Sequence, residues 1–341
     1  MYKTLKIEDA IGKVLAHDIT EVRPGEFKGR AFKKGHAIQV QDLCHLQRLG
    51  KRHIYVLELP EGYLHENDAA LAMANAFCGP GVILKGEPKE GKVNLVAARP
   101  GLLKVDKQAL TEINLLGDVM CASRHTNTTI AKDEVVAGTR AIPLTVEKNI
   151  VDHAVDAAHS AGGIFQIKPL RSAQAGLLIT GNEVFSRLIE DRFEPILKEK
   201  IEAIGSDVLV VEFAPDDPVI IATQIKEMIN VGADLILTTA GMSVDPDDVT
   251  REGIRRAEGN AECYGAPILP GAMFMFSLID DIPILGVPAC GLFHKTTILD
   301  LLLPRILAGE KISRREIAAM GHGGLCLDCD ECRFPECPFG K

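Results

Sequence analysis

Residues 175–240 read AGLLITGNEVFSRLIEDRFEPILKEKIEAIGSDVLVVEFAPDDPVIIATQIKEMINVGADLILTTA and alternate between short apolar runs and longer amphipathic stretches. The apolar runs 175–180 (AGLLIT), 207–213 (DVLVVEF) and 233–240 (ADLILTTA) predict buried strands. The stretches between them carry apolar residues at helical spacing. Continuous apolar strands that alternate with helices are typical of a mostly parallel sheet covered on both faces. The sequence therefore predicts an α/β domain.

The residues that follow extend this pattern toward the C-terminus. Residues 249–257 predict a helix, and 273–279 (MFMFSLI) and 282–288 (IPILGVP) predict a pair of strands joined by an Asp-Asp turn. A last helix is predicted over 296–309, with a bend near Pro304 because proline cannot donate the helical hydrogen bond.

The N-terminal half has a different pattern, with short strands separated by Gly, Pro, Asn and Asp. It predicts helices over 41–49 and 146–158 and strands over 53–59, 102–105, 119–122 and 135–144. We therefore divide the chain of 341 residues into an α+β, strand-rich N-terminal region (1–172), the α/β domain (173–320) and a cysteine-rich tail (321–341).

Composition restricts the classes of function. With 38 Lys and Arg against 47 Asp and Glu, the formal net charge is −9, which argues against a nucleic-acid-binding protein. No apolar run reaches the ~18 residues that a membrane-spanning helix needs. The first residues lack the apolar segment of a secretory signal, so we expect a cytoplasmic protein without a membrane partner.

The loops that follow the predicted strands contain small, hydroxylated and acidic residues. They are 180–183 (TGNE), 214–218 (APDDP), 238–248 (TTAGMSVDPDD) and 286–291 (GVPACG). Ligands of such sheets bind at the carboxyl ends of the strands, where small residues let backbone N–H groups approach an anion. Carboxylates there suit Mg²⁺ shared with a ligand phosphate, although each loop alone is also typical of a helix cap. Our candidate ligand-binding residues are Thr180, Gly181, Thr239, Gly241, Ser243, Pro288 and Gly291.

These stretches resemble the molybdopterin-binding domain of molybdenum cofactor biosynthesis proteins, and most of all the molybdopterin molybdenumtransferase branch. The resemblance rests on 177–184 (LLITGNEV), 215–218 (PDDP), 234–248 (DLILTTAGMSVDPDD), 267–291 (PILPGAMFMFSLIDDIPILGVPACG) and the opening 6–19 (KIEDAIGKVLAHDI). It implies a three-layer α/β fold that binds the pterin dithiolene phosphate.

The resemblance also implies a reaction and its residues. Transferases of this family insert molybdate into adenylylated molybdopterin with the help of carboxylates and Mg²⁺. Glu183, Asp216 and Asp248 match the acidic residues of the three loops, and Gly241 and Ser243 match the turn that cradles the phosphate. The implied partners are molybdopterin, molybdate, and a molybdoenzyme or another cofactor-assembly protein, with a homo-oligomer as the expected assembly.

The chain also departs from the family pattern. Leu269-Pro270-Gly271-Ala272-Met273 replaces the usual Lys-Pro-Gly-Lys-Pro, Ala240 replaces the first of two glycines, and the family's C-terminal β-barrel is absent. Three hypotheses therefore stay open. The first is a molybdenumtransferase-like enzyme, and the second is a non-catalytic carrier, insertion chaperone or sensor of the cofactor. The third is an adenylyltransferase or nucleotide hydrolase that shares the domain.

The tail contains four of the nine cysteines, with the spacing C-x2-C-x2-C-x4-C. Cys326, Cys329, Cys332 and Cys337 resemble the cysteine run of bacterial ferredoxins with one extra residue, and a four-thiolate zinc site fits equally well. The remaining alternative is a flexible tail with reduced thiols. We predict a metal-binding tail whose own fold depends on the metal and which the rest of the chain does not need.

Overall fold

The computed structural model describes residues 3–23, 27–56, 61–242, 245 and 248–341, and only the backbone of 23, 27, 261 and 262. The described residues divide into two compact units. Unit 1 lies within Met1–Arg99, Val105–Arg124 and Ala131–Ile167, and unit 2 within Pro100–Lys104, His125–Ile130 and Lys168–Lys341. Unit 2 thus includes the cysteine-rich tail.

The strands are, in chain order, β1 (Lys3–Lys6), β2 (Ile19–Arg23), β3 (Phe27–Phe32), β4 (His53–Val56), β5 (Tyr63–His65), β6 (Val82–Lys89), β7 (Lys92–Ala97), β8 (Gly101–Val105), β9 (Val119–Ser123), β10 (Thr128–Ile130), β11 (Val135–Ala141), β12 (Thr145–Glu147), β13 (Phe165–Lys168), β14 (Gln174–Thr180), β15 (Asp207–Ala214), β16 (Leu235–Thr239), β17 (Asn260–Tyr264), β18 (Met275–Ile279) and β19 (Ile282–Val287). The α-helices are α1 (Leu43–Arg48), α2 (Glu66–Phe77), α3 (Lys107–Leu115), α4 (Lys148–Ser160), α5 (Asn182–Phe185), α6 (Phe193–Ala203), α7 (Pro218–Asn230), α8 (Thr250–Arg256), α9 (Ile298–Leu307) and α10 (Arg314–Ala319). No helix of the described residues is long and apolar enough to cross a membrane.

Unit 1 is built from antiparallel strands. Its largest sheet has the order β6-β7-β11-β9, and β1 pairs with β4, β2 with β3 and β5 with β12. The sequence did not predict α2, which carries five alanines among its twelve residues. Alanine gives little hydrophobic periodicity, although Ala69, Ala70 and Ala74 are fully buried here.

Unit 2 is organised around a six-stranded sheet with the order β15-β14-β16-β19-β18-β17. The pairs β15/β14, β14/β16 and β16/β19 are parallel, whereas β19/β18 and β18/β17 are antiparallel. The antiparallel hairpin confirms the strand pair that the sequence predicts on either side of the Asp-Asp turn. The edge strand β17 is an addition that the sequence analysis missed.

Both faces of this sheet are covered by helices. Along β14, Leu177 and Ile179 belong to one buried cluster and Leu178 belongs to another. The first cluster includes side chains of α6 and α9, and the second includes side chains of α7 and α8. Because alternate residues of a strand point to opposite faces, unit 2 has a helix–sheet–helix arrangement. Its mixed α/β architecture agrees with the prediction.

The tail packs against the rest of unit 2 instead of extending from it. The backbone N–H of Leu269 donates to Gly324 O, and that of Cys326 donates to Leu269 O, each at 2.8 Å. Near the end of the chain, Phe339 is only 2 % exposed and lies in the same cluster as the apolar side chains of α9. This differs from the expectation that the rest of the chain does not need the tail, since removing Phe339 uncovers part of the core.

Candidate functional site

The loops singled out in the sequence lie side by side at one edge of the sheet in unit 2. Thr180 at the end of β14 pairs with Ala214 at the end of β15, and Ile179 pairs with Thr239 at the end of β16. Thr239 in turn pairs with Val287 at the end of β19. Parallel pairing therefore brings the carboxyl ends of four strands, and the loops that follow them, to the same edge.

Three threonines join the first loop to the third. The Thr180 hydroxyl donates to Thr239 O and lies 3.1 Å from the Thr250 hydroxyl, while Thr239 Oγ1 accepts from the Thr180 N–H at 3.3 Å. All three side chains are at most 3 % exposed. Their hydroxyl groups are thus engaged inside the protein, and ligand contact by Thr180 and Thr239 stays a prediction.

Asn182 and Asp216 join the first loop to the second. The backbone N–H of Asn182 donates to Asp216 Oδ2 at 2.9 Å, and the backbone N–H of Asp216 donates to Asn182 Oδ1 at 3.1 Å. The adjacent Asp217 caps α7 by accepting from Val219 and Ile220. These carboxylates therefore order the loops, which is the structural role that Asp-Pro sequences commonly have.

The third loop begins with an unusual backbone conformation. Ala240 has φ = 52° and Gly241 has φ = 60°, in the left-handed region that disfavours residues with a Cβ. A Cβ on Gly241 would lie 2.1 Å from Thr250 Oγ1, so only glycine fits there. Later in the loop, Asp248 Oδ2 accepts from the Asp245 N–H at 3.1 Å. Ser243, our candidate phosphate contact, lies outside the described residues.

A cleft of about 600 Å³ opens beside the third loop and the loop after β19. Its walls are mainly apolar and come from several separate segments of unit 2. The lining residues are Ala240, Gly241, Met242, Asp248, Leu269, Pro270, Gly271, Ala272, Met273, Pro288, Ala289, Cys290, His294, Leu325, Cys326 and Asp328. We refer to this space as the cleft.

The cleft contains only a subset of the predicted site residues. Gly241, Pro288 and Asp248 line it, and so does Cys326 from the tail. The other candidates do not line it, namely Thr180, Gly181, Glu183, Asp216, Thr239 and Gly291. Of the three predicted catalytic carboxylates, Asp248 alone is therefore positioned to meet a molecule in the cleft, and the roles of the other two stay predictions.

The charges around the cleft differ from those expected of a phosphate site. Asp248 and Asp328 contribute carboxylates, His294 contributes an imidazole, and no lysine or arginine among the described residues lines the cleft. Cys290 also lines it, and burial raises the pKa of the Cys290 thiol. An anion bound here would rely on backbone N–H groups or on a shared cation.

A second pocket of about 270 Å³ lies next to the cleft, and all four cysteines of the tail line it. We call it the cysteine pocket. His294, Lys295, Thr296 and Arg333 also line it. Hydrogen bonds from the Thr296 hydroxyl and the Phe334 backbone lower the pKa of the Cys332 thiol. Within the described ranges, no three His, Cys, Asp or Glu side chains are grouped closely enough to hold a metal ion, so the predicted metal centre stays a prediction.

Sequence reasoning missed several residues that line the cleft. His294, Leu325 and Asp328 were not candidates, because none belongs to a strand-end loop or to the set of cysteines. His294 follows Cys290 by four residues, and Asp328 lies between Cys326 and Cys329. The sequence signals that could have identified them are the closeness of His294 to the loop after β19 and the position of Asp328 within the cysteine motif.

Comparisons with known proteins agree with part of these predictions. Residues 176–308 match the family described as "Probable molybdopterin binding domain", and residues 4–58 match a domain of unknown function. A CinA-like protein of Mycobacterium tuberculosis is 34 % identical over 85 residues, which is 25 % of this chain and 20 % of that protein. The chain thus spans about one fifth of the length of the curated relatives it matches.

Two solved structures are similar at a lower level. The molybdopterin biosynthesis enzyme MoaB from Thermus thermophilus is 21 % identical with a TM-score of 0.35, over 40 % of this chain and 98 % of that chain. The molybdopterin biosynthesis MoeA protein from Pyrococcus horikoshii is 14 % identical with a TM-score of 0.34, over 91 % of this chain and 75 % of that chain. The match to a molybdopterin-binding domain supports the resemblance, whereas the molybdenumtransferase branch is not singled out.

Proposed function

We propose that this protein binds molybdopterin, or its adenylylated form, in the cleft and acts in molybdenum cofactor biosynthesis as a carrier, insertion chaperone or sensor. The observation that carries the proposal is the position of the cleft. Most of its walls come from the third loop, from 269–273 and from 288–290, all within the segment that matches the molybdopterin-binding family. The cleft also lies beside the carboxyl ends of parallel strands, where sheets of this kind bind ligands.

The size and polarity of the cleft suit such a ligand. Its volume of about 600 Å³ is within the usual range for small-molecule sites. The exposed side chains of Leu269 and Met273 offer apolar surface for a flat pterin ring. The ligand's phosphate would meet two carboxylates, so Mg²⁺ fits as an ion shared between Asp248 and that phosphate.

The carboxylates favour binding over catalysis. Asp216 accepts a hydrogen bond from the backbone of Asn182, and Glu183 does not line the cleft. A transferase of the implied kind needs its acidic groups around the reacting oxyanion and the metal ion. We therefore place the carrier, chaperone or sensor role ahead of the enzyme, with a molybdoenzyme or another assembly protein as the partner that receives the cofactor.

Blocking the cleft tests the proposal. Ala289 is exposed and lines the cleft, so Ala289→Phe fills the space without disturbing the core. We expect protein purified anaerobically from a cofactor-producing host to carry pterin. The Ala289→Phe variant should carry at least about tenfold less pterin per chain, because the phenylalanine ring and the ligand would occupy the same space. Bound pterin is measured by its fluorescence after release from denatured protein.

The matched control is Ala203→Phe, which adds the same ring to an exposed alanine at the end of α6, outside the cleft. A second variant, Ala272→Lys, restores one of the two lysines of the family pattern Lys-Pro-Gly-Lys-Pro. We expect it to retain more pterin, because the added positive charge attracts the ligand's phosphate. Wild-type protein without bound pterin, or equal pterin in both phenylalanine variants, would refute binding in the cleft.

Molybdate insertion with Mg²⁺ is the second candidate function, and the position of Asp248 favours it. If the cleft is catalytic, Asp248→Asn removes a metal-binding charge while its amide oxygen still accepts from the Asp245 N–H. The rate of molybdate insertion should then fall by about two orders of magnitude. The measurement is molybdenum incorporation into adenylylated molybdopterin at varied Mg²⁺.

Asp280→Asn is the control for this prediction. Asp280 is an exposed residue of the hairpin turn with φ = 47°, a conformation that asparagine also adopts. Equal insertion rates in both variants and the wild type would remove the enzyme hypothesis and leave the binding role. The homo-oligomer and the cytoplasmic location stay predictions.

A further inference from the structure

The cysteine pocket is held against unit 2 at both ends of the tail. At its start, the backbone pairing of Leu269 with the segment from Gly324 to Cys326 fixes the first cysteine. At its end, the Gly340 N–H donates to Gly323 O at 2.9 Å, and Phe339 is buried in the core. The four cysteines therefore sit in a loop whose ends are already joined, which lowers the entropy cost of gathering them.

The four thiols differ in how firmly they are placed. Cys326 and Cys337 are half-buried and pack against the core cluster, whereas Cys329 and Cys332 are exposed. A hydrogen-bond contact of 3.3 Å joins Cys332 Sγ to Thr296 Oγ1. Two thiols thus form a fixed base of the pocket, and the two exposed thiols have room to move toward it.

The groups around the pocket suit thiolate ligands. Positive charge comes from Lys295 and Arg333, and His294 offers an additional nitrogen ligand. Asp328 and Asp330 lie on the loop that carries the cysteines. His294 Nδ1 lies 3.5 Å from Asp328 Oδ1, so the imidazole and this loop are close neighbours. Four thiols and an imidazole line this pocket, but no three such side chains of the described residues are grouped closely enough to hold an ion as they stand. Once gathered, they form a donor set that favours a soft metal, either zinc or an iron–sulfur cluster.

The cysteine pocket and the cleft share a wall. His294, Leu325, Cys326 and Asp328 line both spaces. Leu269, which lines the cleft, is the residue whose backbone pairs with this part of the tail. Because Asp328 directly precedes the exposed Cys329 in the chain, a movement of Cys329 toward Cys326 also moves Asp328, which lines the cleft.

We propose that the cysteine pocket binds a thiolate-ligated metal centre, zinc or iron–sulfur, and that its occupancy changes the cleft on the other side of the shared wall. The coupling to the cofactor rests on the proposed function, but the metal centre and its effect on the wall do not. Metal binding releases thiol protons and draws Cys329 and Cys332 toward Cys326 and Cys337. By linkage, a metal that shifts Asp328 in this wall changes ligand affinity in the cleft, typically by about 5- to 150-fold.

The metal centre is tested on the full-length protein, purified anaerobically. We expect about one zinc per chain or stoichiometric iron and sulfide by elemental analysis, and visible absorption identifies the cluster. The double variant Cys329→Ser/Cys332→Ser should lose the metal, whereas Cys44→Ser, at an exposed cysteine of unit 1, should retain it. Because both tail thiols are exposed, the double variant is expected to keep its circular dichroism spectrum.

The coupling is tested without any cofactor. Cys290 lines the cleft but not the cysteine pocket, so its rate of alkylation by iodoacetamide, followed by peptide mass spectrometry, reports on the cleft. We expect this rate to change at least about threefold between metal-loaded and metal-free protein. It should not change on adding metal to the double variant.

Three outcomes separate the possibilities. Full-length protein that holds no metal, takes up neither zinc nor iron and sulfide, and has tail thiols as reactive as Cys44 overturns the metal centre. Bound metal with an unchanged Cys290 rate overturns the coupling. Bound metal that changes the Cys290 rate in protein that retains no pterin supports this inference and refutes the proposed function.

Discussion

Replacing Phe339 by alanine lowers the free energy of unfolding of the protein by about 3–5 kcal/mol. Phe339 is 2 % exposed and belongs to the core cluster that α6 and α9 form with the sheet. The Phe334 ring contacts it edge-on, at 6.5 Å between ring centroids. Truncation therefore leaves a cavity and an unsupported neighbour. Urea unfolding followed by circular dichroism measures the change.

Phe293→Ala is the matched control, because Phe293 is 82 % exposed. We expect this change to alter the free energy of unfolding by no more than about 0.5 kcal/mol. If the two variants unfold at the same urea concentration as the wild type, the tail does not contribute to the core and is an independent appendage.

Replacing Arg305 by methionine has the second largest expected effect, about 3 kcal/mol of the free energy of unfolding. The Arg305 side chain is only 6 % exposed, and its Nε is 2.8 Å from Glu310 Oε2. Its second partner is Glu316 on α10. Without Arg305, the buried Glu310 carboxylate still forms an ion pair with Lys104 Nζ, at 2.6 Å. We therefore expect a loss in the free energy of unfolding at the lower end of the range for broken buried ion pairs.

The control for this variant is Lys226→Met, which breaks the ion pair of Lys226 with Glu258 on the surface. Exposed pairs contribute little, so we expect an unchanged unfolding midpoint. An Arg305→Met protein as stable as the wild type would show that apolar packing replaces the buried pair without loss.

These ion pairs also predict how stability depends on pH. Burial alone raises the pKa of Glu310, but hydrogen bonds from Lys104 and Arg305 outweigh burial and hold that pKa below its ordinary value of 4.5. The pKa of Glu316 is lowered as well, because hydrogen bonds from Ser313 and Arg305 outweigh its burial. Stability from lowered carboxyl pKa values is present above pH ~4.5 and is lost as the pH falls through the folded values. The difference between wild type and Arg305→Met should therefore shrink in acid, which unfolding curves from pH 7 to pH 3 will test.

The strands in the sheet of unit 2 could be predicted from the sequence. Strands β14, β15 and β16 lie at the apolar runs 175–180, 207–213 and 233–240, and β18 and β19 form the predicted hairpin. Continuous apolar runs are local consequences of burial on both faces, so they are visible without knowledge of any long-range contact. In unit 1, α2 escaped prediction because four of the seven buried residues of this helix are alanines, which give a weak hydrophobic periodicity.

At the candidate site, the sequence predicted which loops come together but not which of their residues line the cleft. Alternation of strands and helices was enough to predict that the loops after β14, β15, β16 and β19 meet at one edge. It did not distinguish Asp248, which lines the cleft, from Asp216, which accepts from the Asn182 backbone. Both are acidic residues of strand-end loops, and only the path of each loop in space decides which one faces the cleft.

The sequence by itself determined the α/β architecture of the second half, the edge of the sheet where the loops collect, and the four thiols of the tail. The tertiary structure alone decided that the tail lies against the cleft, with Leu269 paired to the segment around Cys326 and with Phe339 in the core. Spacing along a chain reports which faces are buried and which ligands are close in sequence. Contacts between residues more than thirty positions apart depend on how whole elements pack, and the periodicity of the sequence does not reveal them.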